Sequence, residues 1–159
     1  MEQKALARLL KGCLIGLGIV GLVVYGMIIP MYGQSVVAQY PEFSYCYLPW
    51  LIFLWLTAIP CYAVLVIGWR IAGKIGEDRS FCYENAKWLK WIAWLAFGDT
   101  IFFFVGNVVL LFLGMNHPGI ALFSLVVDFV GVAIGVASAA LSHLVQKAAE
   151  MQEQSDLTI

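Results

Sequence analysis

The sequence predicts an all-α fold, a four-helix transmembrane bundle with both termini in the cytoplasm. Three observations carry that expectation. Hydrophobic residues make up 62% of the 159 and mean hydropathy is +0.88, so the bilayer has to act as solvent for surface that a soluble core of this size could not hide. The apolar residues fall into four runs, each long enough to cross a hydrocarbon core of about 30 Å as a helix. All nine Lys and Arg lie in the N-terminal segment, one central polar stretch and the C-terminal tail, and none lies in the two remaining connections. Basic residues collect on the cytoplasmic side of spans, which places those three segments there.

The first span is expected at 12–32, preceded by Lys4, Arg8 and Lys11. A cleaved signal peptide ending at Val36-Val37-Ala38 is the competing interpretation, but the apolar run exceeds the usual signal core of about 7–15 residues. The loop from Gln34 to Tyr47 carries Glu42 and no basic residue, and its Tyr40, Tyr45 and Tyr47 join Tyr32 and Trp50 in an expected interfacial belt. The second span, 48–70, is interrupted by Pro60, which removes a backbone hydrogen bond and predicts a kink.

The loop 71–87 lies in the central polar stretch Arg70–Lys90, which holds five of the nine basic residues. Gly73 and Gly76 loosen the end of the preceding helix, Ser80 or Cys82 is expected to cap the next one, and Glu84 in its first turn suits the helix dipole. The third and fourth spans, 88–113 and 119–145, are joined by Gly114-Met-Asn-His-Pro118, a turn so short that they must be antiparallel neighbours. Trp69, Trp88, Trp91 and Trp94 mark the cytoplasmic interface, and the polar tail 146–159 extends the last helix. The whole chain is one membrane domain.

Candidate functional residues are few. Asp99 and Asp128 are the acidic residues inside spans, where an ionised carboxylate is costly unless paired, protonated or facing the bundle interior. With Asn107 they are candidates for a proton or cation pathway; the alternative is that Asp128 hydrogen-bonds Asn107 at the same depth and fixes the hairpin. Ala121, Ser124, Asp128, Gly131, Gly135, Ser138 and Ser142 recur at spacings of three and four, a small and polar stripe for close helix packing within the chain or between copies. Gly12 and Gly16 form a second pair of that spacing.

His117 and His143 are a whole span apart, no paired-cysteine or Cys/His ligand spacing occurs, and neither a hydrolytic triad nor a phosphate-cradling glycine loop is present. No metal, cofactor or enzyme activity is therefore expected. Of Cys13, Cys46, Cys61 and Cys82, Cys46 alone would face an oxidising compartment, which argues against an intrachain disulfide. A net charge of −1 gives no basic field for direct nucleic-acid binding.

Thr57-Ala-Ile-Pro60, Ile75-Gly-Glu-Asp-Arg-Ser-Phe81, Glu84-Asn85, Leu89-Lys-Trp-Ile-Ala93 and the ending Asp156-Leu-Thr-Ile159 resemble a bacterial integral-membrane family catalogued as domain of unknown function 2975. The chain departs from the family's Pro-Phe-Ser before the third span, with Ser80-Phe81-Cys82 in its place. Genes of this family often neighbour small helix-turn-helix regulators, so the resemblance implies a regulatory role and no enzyme activity.

The leading expectation is thus a regulatory or scaffolding protein of the bacterial inner membrane whose cytoplasmic face binds a partner such as a small helix-turn-helix transcription regulator. Lys74, Arg79, Glu84, Lys87, Lys90 and Asp156 are the expected contacts. The alternative is a small transporter or ion-conducting oligomer that uses Asp99, Asn107 and Asp128.

Overall fold

A computed structural model of the chain describes residues 3–156. The described residues are helical nearly throughout, in four helices long and apolar enough to cross a membrane. The first is composite: α1 (Gln3–Val23), a π-helical turn (Val24–Ile28) and α2 (Ile29–Gln39). A 3₁₀ turn (Pro41–Phe43) leads into α3 (Ser44–Gly76), and α4 (Tyr83–Phe112) and α5 (Pro118–Asp156) follow.

The helices run past the apolar stretches. Arg70–Gly76 and Tyr83–Lys87 are helical, so the non-helical link within 71–87 shrinks to Glu77–Cys82, and the first loop shrinks to residues 40–43. Hydropathy marks where lipid ends, whereas a helix that is already nucleated continues through polar residues at little cost. Pro60 and Pro49 both sit inside an unbroken α3.

Proline acts more visibly in the first helix. The backbone N–H of Ile29 bonds the Val24 carbonyl, a five-residue step. The next donor in that pattern belongs to Pro30, which has none, so the Tyr25 carbonyl is left over. The indole Nε1 of Trp55 donates to it at 3.0 Å. The π turn is thereby stitched to α3.

Packing follows chain order. Among the described residues α1 lies on α3, α3 on α4 and α4 on α5, with the α4–α5 contact the most extensive and none between the first helix and α5. Small residues allow the close approaches. The Phe53 ring fills the space where Gly106 lacks a side chain and stacks on Phe103 at 5.7 Å between centroids. Gly131 meets Thr100 and Gly135 meets the Phe97 ring, while Ser142 Oγ donates to the Ala86 carbonyl at 2.7 Å. The small and polar stripe of α5 therefore packs on α4. Gly12 and Gly16 face open space.

Both hairpin ends between α3, α4 and α5 close by the same device. After α4 the Met115 N–H reaches the Leu110 carbonyl and the Gly114 N–H that of Leu111, with Gly114 at φ +69°. After α3 the Arg79 N–H reaches Lys74 and the Asp78 N–H reaches Ile75, with Asp78 at φ 61°. These are Schellman closures, and the second puts an aspartate where glycine is usual.

Candidate functional site

The basic residues share one end of the molecule. Gly76 abuts Ala7, Lys11 Nζ lies 5.1 Å from the Trp69 ring centre and Arg70 stacks 4.9 Å from that of Trp88. Tyr83 Oη donates to Glu153 at 3.2 Å, which brings the late part of α5 to the start of α4.

The link Glu77–Cys82 is the centre of this end. Asn85, 1% exposed, sends its amide N–H groups to the carbonyls of Ser80 (3.0 Å) and Arg79 (3.4 Å). The expected cap differs from this arrangement. Cys82 holds the N-cap position without a side-chain bond, Ser80 does not cap, and Asn85 reaching backwards fixes the link instead. A thiol is a weak acceptor, whereas an amide three positions into the helix has two donors to spare.

Lys74 Nζ crosses the link to Glu84 at 2.9 Å and also lies 3.8 Å from Glu77. Glu84 sits before the apolar run of α4 begins, and its hydrogen bond from the Lys74 ammonium holds its carboxyl below the usual carboxylate range. Of the expected contact residues, Lys74 and Glu84 thus meet directly. Arg79, Lys87 and Lys90 are exposed around them. Asp156 closes the α5 backbone, and its side chain lies outside the described residues together with Leu157–Ile159.

The intramembrane residues are arranged differently from expectation. Asp128 does not bond Asn107. The Asn107 amide donates to the Phe103 carbonyl at 2.9 Å, and its Oδ1 accepts from Asn116 at 2.9 Å. Both carboxylate oxygens of Asp128 are buried without a hydrogen-bond partner. The antiparallel register that sets Gly131 against Thr100 and Gly135 against Phe97 puts Asp128 level with Phe103, and Ser124 level with Asn107. These facing pairs centre close to Asn116, so Asp128 lies about one helical turn from the depth of Asn107.

Asp99 faces α3. Its Oδ2 accepts from Cys61 Sγ at 3.8 Å, and Oδ1 is buried without a partner. One turn along α3, Thr57 gives its hydroxyl proton to the Leu54 carbonyl at 2.7 Å, so Tyr25 is the donor in its 3.2 Å contact with Thr57. Tyr25 also neighbours Cys61. A phenol, a hydroxyl, a thiol and a carboxylate thus form a polar cluster between the π turn, α3 and α4. Sequence reasoning singled out only Asp99 of these. Two signals were available: Thr57 and Cys61 one helical turn apart, and Pro30 five residues after Tyr25. Hydrogen bonds do not join Asp99, Asn107 and Asp128 to one another. Among the described residues no group of three or more His, Cys, Asp or Glu could hold a metal ion.

With this geometry in hand, known proteins offer a comparison. Residues 31–159 match the family described as Protein of unknown function (DUF2975). The chain belongs to this family. It is similar to the uncharacterized membrane protein YoaS of Bacillus subtilis (strain 168), with 28% identity over 148 residues, covering 92% of this chain and 91% of that protein. No solved structure matches. Four membrane-length apolar helices and a membrane-protein relative agree: this is a multi-pass membrane protein in contact with the lipid bilayer.

Proposed function

We infer that the protein is a regulatory or scaffolding component of a bacterial inner membrane. It acts through a cytoplasmic partner such as a small helix-turn-helix transcription regulator and catalyses no reaction of its own. The observation that supports this is the link Glu77–Cys82, held by a Schellman closure and by Asn85, with exposed Arg79, Lys87 and Lys90 around it. A recognition surface gains affinity from being ordered before it binds. The clustering of basic residues at this end favours a cytoplasmic orientation for it and for both termini.

The test is copurification from native cells in mild detergent, comparing wild type with a Lys87→Glu/Lys90→Glu variant. A soluble regulator retained by wild type and lost from the variant is the expected result. Equal recovery in both, with transcription of its targets unchanged, would defeat the proposal.

A second possibility, a small transporter or ion-conducting oligomer, draws support from the partnerless buried oxygens of Asp99 and Asp128. Such groups are expensive within a membrane and are often retained for transport. In reconstituted vesicles, Asp99→Asn and Asp128→Asn should each abolish pH-dependent cation flux. Absence of flux from wild type would remove this alternative.

A further inference from the structure

The end opposite the basic residues contains a cavity of about 730 Å³, lined from α2, the 3₁₀ turn, the start of α3 and the turn before α5. This size lies within the range of small-molecule sites. We propose that it binds a lipophilic organic cation, an ammonium-type head on an apolar body. This does not rest on the regulatory role, which concerns the other end.

Two features set the chemistry. Tyr32, Tyr40, Phe43, Tyr47 and Trp50 all line the one cavity, whereas the adjacent Tyr45 does not. A belt that only anchors helices at the interface has no reason to gather its rings around a void, and the faces of Trp and Tyr rings attract cations.

The second feature is charge. No Lys or Arg lines the cavity, and the charged residue at this end is the acidic Glu42, between the lining residues Tyr40 and Phe43. His117 lines it as well, with its Nδ1 turned back to accept the Gly119 N–H at 3.0 Å.

The wall therefore offers aromatic rings beside apolar Val36 and Ile120, a combination suited to a cation that carries its own hydrophobic surface.

The test uses tetraphenylphosphonium as probe and tetraphenylborate as its near-isosteric anion, with purified protein in phosphatidylglycerol nanodiscs and empty discs as baseline. Saturable binding of the cation and none of the anion is expected. Trp50→Leu and Tyr40→Leu should each weaken cation binding about threefold to thirtyfold, the loss of one cation–ring contact. Tyr40 is half-exposed, so its variant folds even if the Trp50 change disturbs packing. Replacing part of the lipid with phosphatidylethanolamine separates the sources: displacement of the probe assigns the site to a headgroup ammonium, and unchanged binding assigns it to a free cation. Absent or non-saturable binding, equal binding of the anion, or full affinity in both variants would overturn the proposal.

Discussion

Replacing Gly131 and Gly135 together with alanine should destabilise the protein, whereas the same change at Gly12 and Gly16 should stabilise it. A Cβ on Gly135 would stand 2.8–3.0 Å from Phe97 ring atoms, and one on Gly131 would collide with Thr100 Oγ1, itself held to the Ala96 carbonyl at 2.8 Å. Neither neighbour yields freely, and overpacking of this kind costs about 1–3 kcal/mol. Each substitution also gains up to about 1 kcal/mol of helix propensity. The difference is a loss of about 1 kcal/mol per site and about 2 kcal/mol for the pair. At Gly12 and Gly16 nothing lies within 4 Å. Only the propensity gain remains there, about 1–2 kcal/mol for the pair. Unfolding of the purified protein in mixed micelles by added denaturing detergent reads both pairs on one scale. Equal stabilisation by the two pairs would mean that the α5 stripe is not the surface packed on α4.

Other consequences concern the link and the π turn. Asp78→Gly should raise stability by about 0.5–1 kcal/mol, since it relieves a left-handed aspartate, as equilibrium unfolding would show. Asn85→Ala removes both bonds to the Arg79 and Ser80 carbonyls, so amide exchange in residues 77–86 should accelerate while that of α5 near Ser124 stays unchanged. Trp55→Phe strands the Tyr25 carbonyl that Pro30 cannot serve and should cost about 1–2 kcal/mol in the same unfolding assay. The Lys74–Glu84 pair stabilises where Glu84 is ionised in both folded and unfolded chains, thus at neutral pH, and this is lost as pH falls through the lowered value of the folded state. The stability difference between wild type and Lys74→Ala should accordingly shrink on acidification and in high salt.

Much of the fold was legible because the bilayer imposes it. The runs 12–32, 48–70 and 119–145 lie within helices and 88–113 does so as far as Phe112, since backbone in hydrocarbon must bond to itself. The α5 stripe was legible too, because its period is local. Helix ends were not. Arg70 read as the last residue of its span and Lys74 as a loop residue, yet α3 continues through both to Gly76, and they carry the stacking and ion pair that organise that end. The Asp128–Asn107 pairing failed on register: a hairpin centred close to Asn116 sets Asp128 opposite residues 103–104, about one turn from Asn107. Asp99 could be picked out as an intramembrane acid, but its neighbours Cys61, Tyr25 and Thr57 belong to two other helices. The aromatic cavity lay hidden in the tyrosines of the first loop, where composition alone suggests a belt.

The most direct test of the proposed role is photocrosslinking in living cells, with a photoreactive residue placed in turn at positions 79 and 87, and at 45 and 123 as controls. The account predicts an adduct with one soluble regulator from 79 and 87 and none from 45 or 123. No adduct at the link, or the same adducts from all four positions, would contradict a specific partner at the basic end.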